Sequence, residues 1–158
     1  MQKIVIDTNV IVFSLIQPSY PYKIIYKLFV DDKFVLCVSE EQMAEYYAVL
    51  SRPKFARFPD FFGKAENLLA DIETKAQKFA PIIKLDLISG KDDNIILELA
   101  DESKADFIIT GNTTDFTFSA YKQTKIISPK EYWINMRPDK NAQAQNIMPV
   151  KKRANVCN

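Results

Sequence analysis

Apolar residues along this chain fall in short unbroken runs, separated by longer stretches in which they recur at helical spacing. The runs are Ile4-Val5-Ile6, Phe34-Val35-Leu36-Cys37-Val38, residues 82–85, Phe107-Ile108-Ile109 and Lys125-Ile126-Ile127. Several are rich in β-branched side chains, as suits strands buried on both faces of a parallel sheet. Between them lie the predicted helices. Residues 10–16 form one, stopped by Gln17-Pro18. Pro21 opens a second, reaching about residue 30 with Ile24, Ile25, Leu28 and Phe29 as its stripe. Ser39-Glu40-Glu41-Gln42 reads as a capping box. The helix it opens places Met43, Tyr46, Tyr47 and Leu50 on one face and ends near Ser51-Arg52-Pro53. A longer helix carries Leu68, Leu69, Ile72, Ala76 and Phe79 and is ended by Pro81. The loop Ser89-Gly90-Lys91-Asp92-Asp93-Asn94 leads into a helix burying Ile95, Ile96, Leu99 and Ala100, and Pro129 starts a last helix over residues 130–136. Strand and helix alternate throughout. The expected fold is therefore α/β: a three-layer α/β/α sandwich around a parallel sheet of about five strands.

The pattern stops near residue 136. Residues 137–158 are polar, with repeated Asn, Gln, Lys and Ala, and are read as a disordered tail following one domain over residues 1–136. A chain of 158 residues, 47% hydrophobic and 26% charged, is ordinary for a globular protein with a sizeable core. The net charge of +1 points neither toward nor away from a polyanionic partner. The N-terminus carries no signal peptide and no run spans a bilayer, so a cytoplasmic location is expected.

Composition narrows the chemistry further. There is no histidine, which removes Ser-His-Asp and Cys-His catalysis and His-ligated zinc. Of the two cysteines, Cys37 lies in an apolar run and Cys157 in the tail, so neither a disulfide framework nor a metal-site spacing exists. Any catalysis falls to carboxylates, Lys, Tyr or a metal held by oxygen.

Acids follow the carboxyl ends of the predicted strands, where ligands of open α/β sheets bind. Asp7, Thr8 and Asn9 follow the first strand, and Glu45 lies in the helix after the second. Asp92-Asp93 open the helix after the third, and a loop with Asn112 and Asp115 follows the fourth. Each has a plainer explanation. Asp7 can cap a helix, Asp92 and Asp93 favour a helix's first turn, and Asp115 can cap a turn. Glu40, Glu41 and Glu45 share one helix, and its periodicity does not single out Glu45. Jointly the acids point elsewhere. Like charges ~4 Å apart repel by about 4 kcal/mol at an effective dielectric near 20, and a divalent cation removes that conflict. Oxygen-only ligands suit Mg²⁺ or Mn²⁺, which can activate water for attack on a phosphodiester.

These segments together resemble the PIN domain, of the kind found as the toxin of type II toxin–antitoxin pairs. The resemblance rests on Ile4-Val5-Ile6-Asp7-Thr8-Asn9-Val10, on Ser39 through Phe55 with Glu45-Tyr46, on Asp92-Asp93-Asn94, on Ile108-Ile109-Thr110-Gly111-Asn112, and on the closing stretch from Ile126 to Tyr132. It implies a Rossmann-like sandwich and a Mg²⁺- or Mn²⁺-dependent ribonuclease that cleaves single-stranded RNA with metal-activated water. By position, Asp7, Glu45 and Asp93 match the family's metal-binding acids. Where the family continues Thr-Gly-Asp, this chain has Asn112, and Asp115 three residues on is the available substitute. Asp115 or Asn112 is expected to help position the water or a second ion, Thr8, Asn9 and Thr110 to orient the acids or touch phosphate, and Lys54 and Arg57 to contact RNA. The resemblance also implies a cognate antitoxin and a homodimer.

Two rival readings follow. A haloacid-dehalogenase-like phosphatase needs a second acid two residues after Asp7, where Asn9 stands. A catalytically weak or inactive PIN-like module binding RNA or protein draws its support from Asn112.

Overall fold

The computed structural model describes residues 1–88, 90–112 and 119–140. Its sheet has six strands: β1 (Lys3–Ile6), β2 (Val35–Ser39), β3 (Gln77–Phe79), β4 (Phe107–Ile109), β5 (Ala120–Tyr121) and β6 (Thr124–Ile127). They lie in the order β3-β2-β1-β4-β6-β5. All neighbours pair in parallel except β5, which closes a short antiparallel hairpin onto β6. The helices are α1 (Thr8–Ile16), α2 (Tyr20–Lys23), α3 (Glu40–Leu50), α4 (Phe61–Lys75), α5 (Lys91–Ser103) and α6 (Pro129–Glu131). A π-helical stretch, Ile24–Phe29, extends α2, and another, Tyr132–Met136, extends α6. Among the described residues no helix is long and apolar enough to cross a membrane.

The unbroken apolar runs have a direct cause. Alternate residues of each inner strand enter different cores. Ile4, Ile6, Leu36, Val38, Phe107 and Ile109 join the larger one, packed beneath α1, α3, α4 and the π-helical segments. Val5, Cys37 and Ile108 face the other side, where α5 supplies Ile96, Leu97, Leu99 and Ala100. With both faces covered there is no position at which a polar residue could point to water.

Three expectations are corrected. The third strand is not at 82–85 but at Gln77–Phe79. The helix before it ends at Lys75, so Ala76 and Phe79 are not part of it. Ile82 and Ile83 are 84% and 53% exposed, so their apolar run does not mark burial. β3 is an edge strand, which needs no apolar run of its own. The sheet also gains β5, two residues long, beyond the five expected strands. Of the expected tail, residues 141–158 lie outside the described residues. Arg137 stays with the domain, its guanidinium 4.6 Å over the Trp133 ring and donating to the Trp133 carbonyl at 2.6 Å.

Candidate functional site

Strand order fixes where a site can form. From β1 the chain runs outward to β2 and β3, then returns to the opposite side of β1 as β4. The crevice at the carboxyl ends of β1 and β4 is thus the switch point at which open α/β sheets receive ligands. The register pairs Ile6 with Ile109. The Asp7 amide extends the ladder by donating to the Ile109 carbonyl at 3.0 Å. That places Asp7 beside Thr110, whose hydroxyl donates to Asp7 Oδ2 at 2.8 Å. The Asn112 amide in turn donates to the Thr110 hydroxyl at 3.1 Å.

Asp7 occupies the cap position of α1, but its side chain makes no capping hydrogen bond. Asp7 is nevertheless only 8% exposed. Burial pushes its pKa above the usual carboxylate range. The Thr110 hydroxyl and the amides of Thr8 and Asn9 pull the other way, and the Asp92 charge adds to the rise.

Glu45 is delivered by α3. Ser39 caps that helix by accepting from the Gln42 amide at 3.1 Å. Only half of the expected capping box forms, because the Gln42 side chain turns inward and donates from Nε2 to the Thr8 hydroxyl at 3.3 Å. The Thr8 hydroxyl donates to Glu45 Oε2 at 2.8 Å. One turn of chain thus supplies both Asp7 and the hydroxyl that holds Glu45. Tyr46, fully buried, pins the same helix to β1 by donating to the Ile6 carbonyl at 2.5 Å. The pKa of Glu45 is raised, first by burial and then by the charges of Asp92 and Asp7, against the Thr8 hydrogen bond. Asp92 comes within hydrogen-bonding reach of Glu45.

Three acids from distant parts of the chain therefore act on one another: Asp7, Glu45 and Asp92. Asp93, the acid matched by position, sits half-buried in the same first turn of α5. Its Oδ2 lies 2.9 Å from where a Cβ on Gly90 would stand, so a side chain at residue 90 would push against it. Asn9 is exposed at the start of α1. Lys54 and Arg57 lie on the 3₁₀ turn Pro53–Arg57, beyond the carboxyl end of α3. There Lys54 Nζ stands 5.2 Å over the Phe55 ring and the Arg57 guanidinium 4.9 Å over Phe58. Phe55 itself is buried and stacks on Phe61, so these aromatics serve the core. Asp115 lies outside the described residues.

Among the described residues no three His, Cys, Asp or Glu side chains stand close enough to enclose a metal ion. The donor chemistry still fits a hard divalent cation. The Asp7 and Glu45 oxygens are held by hydroxyls, and the pKa values of both acids are raised, first by burial and then by neighbouring acidic charge, a cost that a cation would offset. Sequence reasoning gave no sign of Gln42 and Tyr46 as supports of the site. Gln42 read as half of a capping box, and Tyr46 as one more apolar stripe position.

The family model for the PIN domain matches residues 3–114. The chain belongs to the PIN domain family. No curated protein matches it in sequence. In fold it is similar to a solved structure, the crystal structure of VapBC2 from Rickettsia felis bound to a DNA fragment from their promoter. The TM-score is 0.53 at 16% identity, with 80% of this chain and 98% of that chain covered. All the acids discussed except Asp115 fall inside the stretch that is both described and matched by the PIN family.

Proposed function

We infer that this PIN domain is a divalent-metal-dependent endoribonuclease acting on single-stranded RNA, and the toxin of a toxin–antitoxin pair. PIN domains are generally nucleases. The observation that carries the reading is the gathering of Asp7, Glu45 and Asp92 at the sheet's switch point, where burial first and acidic charge second raise the pKa values of Asp7 and Glu45 and a hydroxyl is held against each of those two. An arrangement that raises the energy of its own charged groups gains nothing for folding, and such perturbed groups mark functional sites. Asp7, Glu45 and an acid of the Asp92-Asp93 pair would hold Mg²⁺ or Mn²⁺, with Asn112 or Asp115 completing the set. When bound, the cation supplies Lewis acidity for water and for the phosphate. Thr8 and Thr110 keep Glu45 and Asp7 oriented, and burial keeps bulk water from screening their charge. The likeness to a VapBC2 structure supports an antitoxin partner, and a homodimer remains part of the same proposal.

A second reading has its own support. Asn112 replaces the acid that the family pattern places there, and among the described residues no three acids enclose an ion. A PIN module that binds RNA or protein without cleaving it fits those two facts. Titrating Mn²⁺ into purified protein with a fluorescent single-stranded RNA separates the readings. The nuclease reading expects cleavage that needs metal and stops with EDTA. Metal-independent cleavage, or binding without cleavage at any metal concentration, rejects it.

A further inference from the structure

Asp7 and Glu45 are each held by a threonine, but the acids of α5 enter the site from an irregular stretch of chain. Between β3 and α5 the backbone has no regular partner over residues 80–88, and it carries the exposed side chains Ile82, Ile83 and Leu87. Unpaired backbone so near a site of repelling charges needs some other anchor. Asn94 supplies one. Its side chain, 7% exposed, turns back from the first turn of α5 onto the chain that leads into it. Oδ1 accepts from the amides of Leu87 at 3.0 Å and Ile88 at 3.1 Å. Nδ2 donates to the carbonyls of Ile88 at 2.6 Å and Gly90 at 3.1 Å. Two N–H groups meet the oxygen and two carbonyls meet the nitrogen, so only an amide, in this one orientation, satisfies all four. Neither Asp nor Leu of similar size could.

Gly90 links this clamp to the acids. Its carbonyl also accepts the Asn94 amide at 3.2 Å, closing the first turn of α5. Its missing Cβ leaves room for the Asp93 carboxylate. Asp92 and Asp93 are thus bracketed between two residues, Gly90 and Asn94, that are bonded to each other. Below them, Glu98 accepts the Leu85 amide at 2.8 Å and fixes the linker a second time.

We propose that Asn94 is a positioning residue: by clamping Leu87, Ile88 and Gly90 it sets where Asp92 and Asp93 stand relative to Asp7 and Glu45. This rests on the proposed metal site, and its test reads the clamp separately from that site. Asn94→Ala removes all four bonds. Leu99→Ala, in the same helix and fully buried, serves as a destabilised control that leaves the clamp intact. Two quantities are measured for each and for the parent below its melting temperature: amide exchange over residues 85–93, and Mn²⁺ affinity by calorimetry. The expected result for Asn94→Ala is faster exchange at Leu87 and Ile88 and a Kd weakened by about 10–100-fold, as for other residues that orient metal ligands. Leu99→Ala should keep the parent's Kd. Should Asn94→Ala fail to fold, Asn94→Asp takes its place, keeping the acceptor for Leu87 and Ile88 while opposing the carbonyls of Ile88 and Gly90. A parent protein that binds no Mn²⁺ removes the metal site. Unchanged exchange at Leu87 and Ile88, or a parent-like Kd in the Asn94 variant, overturns the positioning role.

Discussion

At the scale of residues, the central fact is that Asp7 and Glu45 bind protons more tightly in the folded protein than ordinary carboxylates do. The consequence for stability is opposite to that of a salt-bridged acid. Below the ordinary carboxylate range, near pH 4, both groups are protonated in both states and cost nothing. As pH rises through their raised folded values, the unfolded chain releases protons first, and metal-free stability falls. Relative to Glu45→Gln, the parent should therefore lose stability over that rise in urea denaturation without metal. A difference between the two proteins that stays flat or grows in the parent's favour would contradict the burial and repulsion described above. Asn112 bears on the same charge balance. Asn112→Asp restores an acid beside Thr110 and should tighten Mn²⁺ binding in calorimetry; an unchanged or weaker affinity would place residue 112 outside the metal's reach. The sequence made the region of the site legible but not its members. Nothing in the periodicity of α3 distinguishes Glu45 from Glu40 or Glu41, and only the resemblance to PIN domains selected it. Nor could spacing show that Asp92, beside the matched Asp93, is an acid whose charge acts on Asp7 and Glu45. That depends on how the first turn of α5 is set, through side-chain bonds from Asn94 that leave no pattern in the sequence.

At the scale of elements, α3 and β1 act as one unit because Tyr46 joins them. Its hydroxyl is buried, and burial pushes its pKa far up, so it stays a neutral donor to the Ile6 carbonyl. Tyr46→Phe leaves that carbonyl without this partner at the end of β1. It should cost about 1–3 kcal/mol in urea denaturation and lower RNA cleavage more than the stability loss alone explains. Parent-like stability would show that the bond contributes little and that packing alone holds Glu45 in place. The inner strands were legible because burial on both faces imposes an unbroken apolar run. β3 was not. As an edge strand it exposes Gln77 and Lys78, and the nearby apolar run from Ile82 drew the assignment away. The run is apolar without being buried, a case that periodicity cannot distinguish from a core strand. The helix ends at α2 and α6 show a smaller divergence. The stripe Ile24, Ile25, Leu28 and Phe29 is buried as read, yet both helices continue as π-helical turns, with the Val30 amide reaching the Ile25 carbonyl at 3.0 Å.

At the scale of the whole molecule, the strand order β3-β2-β1-β4-β6-β5 converts acids far apart in sequence into neighbours. Asp7 and Thr110 are 103 residues apart, and Thr8 and Glu45 are 37 apart, yet each pair shares a hydrogen bond. The fold concentrates like charge at this switch point and gives Asp7 and Glu45 each a threonine hydroxyl as hydrogen-bond donor. The proposed role of this edge is to bind a metal and cleave RNA. The most direct test compares the parent with Asp7→Asn in Mn²⁺-dependent cleavage of single-stranded RNA, with circular dichroism and thermal melting to confirm folding. Asp7→Asn should fold and be at least as stable as the parent without metal, with cleavage reduced by more than about 10²-fold, because a proposed ligand should cost more than the residues that merely orient ligands. A folded Asp7→Asn protein that cleaves at the parent's rate would contradict it.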